Sequence, residues 1–176
     1  MDRLSSEVVY ANAWMTVRED VVRRLDGSEG LFGVVEKPDF ALVLPRGDGG
    51  FWMVEQFRYP IGRRSWEFPM GSWPSRHEGT PLELARAELA EETGLPASVW
   101  RHVGRLAPAS GVLTNEFDVF LATGLAEGDP SREGTEQDMT HRFVLDDEVT
   151  DLIRSGGLVD AASVAALALF YLLERD

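Results

Sequence analysis

Cysteine does not occur in the 176 residues, so neither a disulfide framework nor a zinc-thiolate centre is available, and a reducing compartment such as the cytoplasm suits the chain. Histidine occurs only at 77, 102 and 141, with no spacing that would gather a metal on imidazoles. Basic residues are scarce as well. The 17 Lys and Arg against 30 Asp and Glu leave a formal charge of −13, which argues against nonspecific attraction to a nucleic acid polymer. Small anionic ligands stay open, because screening over roughly 8–10 Å leaves the decision to nearby cations and metals. Long apolar runs are missing: the most apolar stretch, 159–173, falls short of the ~20 residues a spanning helix needs. The first seven residues hold no apolar signal core, so no membrane partner is expected.

What is present suffices for one sizeable core, since 44% of the residues are hydrophobic and 10% aromatic. No internal repeat or low-complexity tract interrupts the chain. Short β-branched or aromatic runs at 8–10, 15–24, 31–36, 40–45 and 51–57 read as strands, with Asp26-Gly27 and Asp48-Gly49-Gly50 as hairpin turns. A helix is predicted at Pro81–Thr93, strands at 99–106, 117–122 and 142–145, and helices at 147–154 and 160–174. Runs of strands broken by a few helices indicate an α+β sandwich. The stretch 124–134, rich in Gly, Glu, Asp and Ser, is expected to be a flexible active-site loop or lid.

The helix at Pro81–Thr93 carries its own boundary marks. Thr80 and Glu83 have capping-box spacing around Pro81, and Gly94 stands where a left-handed stop belongs. At about 100° per residue, Leu82, Ala85, Leu89 and Thr93 share one face, while Glu88, Glu91 and Glu92 fall within about a 100° arc on another. Three acids near the carboxyl end oppose the macrodipole, which prefers cations there. A solvated acidic face is one outcome; a bound divalent ion is the other. Arg86 is the only cation inside the helix and projects toward the Leu82 face, which favours the ion over pairing within the helix. Hard oxygen ligands suit Mg²⁺ or Mn²⁺.

The run Glu88-Leu89-Ala90-Glu91-Glu92-Thr93-Gly94-Leu95 resembles the second half of the Nudix box, with Gly71 similar to its opening glycine. Trp66-Glu67-Phe68-Pro69-Met70-Gly71 and Glu55-Gln56-Phe57-Arg58-Tyr59-Pro60 resemble the segments that lead into the box in ADP-ribose pyrophosphatases, and the run 160–167 resembles their terminal helix. The likeness spans nearly the whole chain. It departs in three places. Two extra positions separate Gly71 from Gly94; Gly79 and Ala87 stand where the pattern has glutamate and arginine; and Ala109-Ser110-Gly111 replaces Ser-Pro-Gly. Glu78, His77 and Arg86 are the residues at hand to substitute for the two lost groups.

The resemblance implies a Nudix-type α/β/α sandwich with a mixed sheet, in residues 39–176, preceded by N-terminal antiparallel strands in residues 1–38 that form a homodimer. It implies Mg²⁺-dependent hydrolysis of a nucleoside diphosphate derivative, with ADP-ribose giving AMP and ribose 5-phosphate. Glu88, Glu92 and Glu91, with the Met70 carbonyl, would hold the metal. Glu136, with Asp138 behind it, is the general-base candidate, against the alternative of a solvated loop acid. Arg58 and the Arg63-Arg64 pair could bind phosphate, or form surface ion pairs. Glu67 would contact ribose or base, or pair with an arginine. Trp14 and Phe57 are candidates for stacking on adenine. A nucleotide-sugar pyrophosphatase and a catalytically silent nucleotide-binding module are the alternative readings.

Overall fold

The computed structural model describes residues 1–73, 79–132 and 138–173. Three N-terminal strands, β1 (Asp2–Ala11), β2 (Thr16–Arg23) and β3 (Glu29–Glu36), form an antiparallel sheet of their own in the order β1-β2-β3. All ten β1 residues are exposed, among them Leu4, Val8, Val9 and Tyr10. Buried Asp20 of β2 pairs with Arg18, which also donates to Glu36 at 2.8 Å. The sheet is tied to the body where Val35 donates to Val112 at 2.8 Å and accepts from Thr114 at 3.1 Å.

The body is a seven-stranded mixed sheet built from β4 (Phe40–Gly47), β5 (Gly50–Arg58), β6 (Arg63–Glu67), β7 (Met70–Gly71), β8 (Ala97–Leu106), β9 (Phe117–Leu125) and β10 (Thr140–Leu145). Its main path runs β10-β5-β4-β9-β8, and only the central β4–β9 pair is parallel. Helix α1 (Pro81–Thr93) covers one face, and α3 (Ala161–Leu173), preceded by α2 (Asp146–Ser155), covers the other. Because side chains alternate along a strand, Ala41 and Val43 of β4 meet Leu84, Ala85 and Leu89 of α1, while Leu42 and Leu44 meet the α3 side. This double burial explains why β4 and β9 read as near-continuous apolar runs. Phe51, fully buried, makes edge contacts with Phe68 and Phe170 at 5.4 and 5.3 Å. Each such side chain contributes roughly 1.5–3 kcal/mol by leaving water.

The expected sandwich is therefore observed, with two additions. The β4–β5 hairpin pairs only beside its turn, at Arg46↔Phe51 and Gly47↔Gly50. Beyond that the strands part, and residues 63–71 fill the wedge, β6 on β5 and β7 on β4. Sequence periodicity hid both: β6 opens with two exposed arginines, and β7 has only two residues. The wedge is what brings Met70 and Gly71 beside Leu42 and Ala41, under α1.

The stretch 124–134, expected as a loop or lid, is strand at its start and irregular in 126–132. Strand β9 runs on to Leu125, and 126–132 packs on the carboxyl end of α1, where the Ser131 amide donates to the Glu91 carbonyl at 2.9 Å. Residues 133 and 134 lie outside the described residues. Among the described residues no helix is long and apolar enough to cross a membrane.

Candidate active site

Helix α1 forms within its signalled limits. Thr80 accepts from the Glu83 amide and Glu83 accepts from the Thr80 amide, closing the capping box, and Gly94 terminates the helix at φ 72°. The apolar positions 84, 85 and 89 press on β4 and β9. That contact turns the acidic arc toward β7 and β5.

Glu88 lies against Gly71. A Cβ built on Gly71 would overlap both carboxylate oxygens of Glu88, so the missing side chain makes the notch in which the movable end of the acid rests. Gly71→Ala is expected to displace the Glu88 carboxylate and lower kcat roughly tenfold, since small misplacements of a reacting group carry costs of at least that order. Thermal stability should change little. Steady-state kinetics with a melting curve on the same sample checks both halves of this expectation.

One turn on, Glu92 is buried, 1% exposed, and Glu91 is half-buried. Arg58 stands close enough to feel the Glu92 charge. Its guanidinium is engaged by Glu67, with Nε donating to both carboxylate oxygens at 2.9 and 3.0 Å and Nη2 donating at 2.5 Å. Burial disfavours the Arg58 charge, but Glu67, Glu92 and Asp160 outweigh it and hold the group protonated. Glu67 is itself 1% exposed, and burial pushes its carboxyl above the usual range although Arg58 pulls it down. Of the two readings of Glu67 from sequence, pairing with an arginine is the contact observed.

The other expected residues are scattered more widely. Arg64 pairs with Glu55 at 2.8 Å and Asp138 at 2.6 Å, and Arg63 is exposed. Phe57 is 47% exposed on β5, and Trp14 is 75% exposed in the connection between β1 and β2. Arg86 turns away from the acids and lies over Trp100, 5.8 Å from the ring centroid. Glu136, Glu78 and His77 lie outside the described residues. His102 bonds Asp118 at 2.8 Å, and His141 bonds Arg132 at 2.7 Å.

Among the described residues no three His, Asp or Glu side chains are gathered so as to hold an ion unaided. Glu88, Glu91 and Glu92 share an arc of the helix without forming a ready cage. The donor set nevertheless fits Mg²⁺, which is usually held by one or two carboxylates and takes waters and substrate phosphates for the rest of its shell. The Gly71 notch places one such carboxylate beside the β7 backbone, and Glu92 adds a second acid one turn along α1.

Arg132 is the residue that sequence reasoning missed. Its Nε donates to the Glu92 carbonyl at 3.0 Å, so the cation that α1 lacks in its last turn arrives from a distant segment. The signal was there: Arg132 is the only basic residue between 124 and 138.

Comparison with known proteins shows the family. The NUDIX domain model matches residues 36–167 and the model for a nucleoside diphosphate sugar hydrolase N-terminal domain matches residues 1–35. The chain belongs to the Nudix family, and its class is that of a Nudix pyrophosphohydrolase. More particular likenesses follow. The chain is 35% identical over 168 residues to an ADP-ribose pyrophosphatase of Mycobacterium tuberculosis (strain ATCC 25618 / H37Rv), covering 94% of this chain and 81% of that protein. It is 27% identical over 173 residues to an ADP-ribose pyrophosphatase of Bacillus subtilis (strain 168), covering 97% and 92%. A crystal structure of an ADP compounds hydrolase superposes with a TM-score of 0.86 at 17% identity, over 98% of this chain and 93% of that one, which speaks to the fold.

Proposed function

We propose that the chain hydrolyses the diphosphate linkage of ADP-ribose, with Mg²⁺ as the working cation and Mn²⁺ as a substitute, yielding AMP and ribose 5-phosphate. The observation that carries this reading is the Glu88 carboxylate resting in the Gly71 notch, with buried Glu92 one turn further and Arg58 within its field. Two relatives along nearly the whole chain bear the name ADP-ribose pyrophosphatase, which supports the substrate.

A bound divalent cation would neutralise phosphate oxygens and acidify a water for attack on phosphorus. The chain's own part is to hold and orient. Glu88 and Glu92, with Glu91 and the Met70 carbonyl, supply hard oxygens on a helix end and a strand end, both rigid elements. Arg58, already oriented by Glu67, offers its guanidinium to a diphosphate oxygen. Glu136 is retained as the general base. Trp14 and Phe57, both exposed, offer flat faces for adenine.

The N-terminal sheet, residues 1–38, is read as a dimerising segment. Its support is the exposed apolar residues on both faces of β1 and β3, Val8 and Phe32 on one and Tyr10 and Leu31 on the other, which a second copy would help to cover. A cytoplasmic location is read from the lack of cysteine.

The test is direct: purified protein incubated with Mg²⁺ and ADP-ribose should release AMP, and no AMP together with saturable binding would favour a silent binding module. A nucleotide-sugar substrate is the second reading, favoured by the description of the model that matches residues 1–35. A panel of ADP-, GDP- and UDP-linked sugars separates the two by kcat/KM.

A further inference from the structure

The carboxyl end of α1 is held by a side chain with three arms. Arg132 donates from Nε to the Glu92 carbonyl at 3.0 Å, from Nη1 to the Met139 carbonyl at 2.6 Å, and from Nη2 to His141 Nδ1 at 2.7 Å. The neighbouring backbone reinforces this hold. Ser131 donates to the Glu91 carbonyl, and Gly94 donates to the Ala90 carbonyl, each at 2.9 Å. The Thr93 hydroxyl donates to the Leu89 carbonyl at 2.5 Å. The four carbonyls before Thr93 are thus all engaged, and those of Glu91 and Glu92, which have no partner within the helix, are met by Ser131 and Arg132 from outside it.

The far arms reach a different part of the sheet. Met139, 2% exposed, and His141 of β10 lie beside β5, where His141 pairs with Val54. Strand β5 ends at Arg58. Arg132 therefore connects the helix that carries Glu92 to the strand pair that carries Arg58, the cation within the field of Glu92. A planar guanidinium suits this task, because its donors leave in fixed directions toward three separate acceptors. Acceptance at Nδ1 requires a neutral imidazole there, and burial followed by the Arg132 charge holds the His141 pKa below its usual value.

We propose that Arg132 is a positioning residue for the reaction: it fixes the backbone of Glu92, and thereby the aim of that carboxylate, relative to Arg58. The inference rests on the reading of Glu92 as a metal ligand in a diphosphate hydrolase.

The experiment compares wild type with Arg132→Ala, Arg132→Lys, His141→Gln and His141→Phe. Four quantities are measured on each: kcat and KM for ADP-ribose at saturating Mg²⁺, the affinity for Mn²⁺ by calorimetry without substrate, and the melting temperature. Groups behind a metal ligand typically control affinity or activity by about 10–100-fold. Arg132→Ala is expected to lower kcat roughly thirtyfold and weaken Mn²⁺ binding about tenfold, with KM within about threefold of wild type. Arg132→Lys should recover only part of the loss, since one ammonium cannot serve three acceptors spread over a plane. His141→Gln keeps an acceptor and should stay near wild type, whereas His141→Phe removes it and should weaken both kcat and Mn²⁺ affinity several-fold.

Should Arg132→Ala fail to fold, Arg132→Lys and His141→Phe carry the comparison. The inference is overturned if those two bind Mn²⁺ and turn over as wild type does, or if Arg132→Ala lowers the melting temperature alone. A wild-type protein inactive on every diphosphate would instead overturn the proposed function, while the Mn²⁺ affinities would still decide the role of Arg132.

Discussion

Glu92→Gln is expected to retain the fold and lose turnover by at least about a hundredfold, the scale set by removing one preorganised electrostatic group from a water-poor site. The substitution keeps the shape of a side chain that is 1% exposed, so packing is not at issue. It removes a buried charge, whose desolvation is costly, and the melting temperature should hold or rise. Arg58, which feels the Glu92 charge, loses part of its electrostatic company but keeps Glu67. Catalysis should fail for a different reason: a neutral amide is a poor ligand for a hard dication, which prefers carboxylate oxygens. The check is AMP release at saturating Mg²⁺ alongside a thermal melt. Near-normal turnover in a well-folded sample would remove Glu92 from the machinery.

Gly94→Ala should show the opposite pattern, a large loss of stability from a single methyl group. Gly94 sits at φ 72°, a conformation that costs an L-residue roughly 1–2 kcal/mol. The added Cβ would also come within 2.5 Å of the Gly128 carbonyl oxygen and 2.7 Å of the Pro130 nitrogen. Both are backbone atoms, so the 126–132 segment must move as a whole, and overpacking of this kind costs about 1–3 kcal/mol. Together the two effects amount to roughly 3 kcal/mol, or about 6–12 °C in melting temperature for a domain of this size. Differential scanning calorimetry reads the shift. A melting point within a degree of wild type would mean that the α1 terminus and the segment beneath it are not packed as described.

That terminus shows where sequence reasoning succeeds and where it stops. Helix α1 was legible to the residue because its stop and start are local chemistry: Thr80 and Glu83 cap each other, and Gly94 supplies the left-handed turn. The continuous apolar run of β4 and the turns at Gly27 and Gly49 were legible for the same reason. Strands β6 and β7 were not. Arg63 and Arg64 look like a loop, and β6 exists because β4 and β5 part beyond their turn and leave backbone groups to be paired. Strand β1 was underestimated at three residues where ten are extended, since a strand with ten exposed residues leaves no apolar/polar alternation to read.

The candidate site divides along the same line. Glu88, Glu91, Glu92 and Gly71 could be singled out from motif spacing, and the approach of Glu88 to Gly71 gives that spacing a steric cause. The partner of Arg58 was open from sequence, because Glu67 lies nine residues away and meets it only through the β5–β6 ladder. Arg132 lies 40 residues beyond Glu92 and reaches it through a turn of chain with no regular pattern. The compensation for an acidic helix end was expected from a bound cation, and the fold adds the Arg132 guanidinium at the Glu92 carbonyl.

The central claim is that acids near the end of α1 grip a hard cation against a diphosphate. A crystal of the protein soaked in Mn²⁺ with a non-hydrolysable ADP-ribose analogue tests it most directly, through the anomalous signal of the metal. The account predicts a peak about 2.0–2.3 Å from carboxylate oxygens of Glu88 and Glu92 and from a phosphate oxygen of the analogue. An analogue seated in the site with no metal peak beside it, and with both glutamates turned onto arginines, would contradict the account.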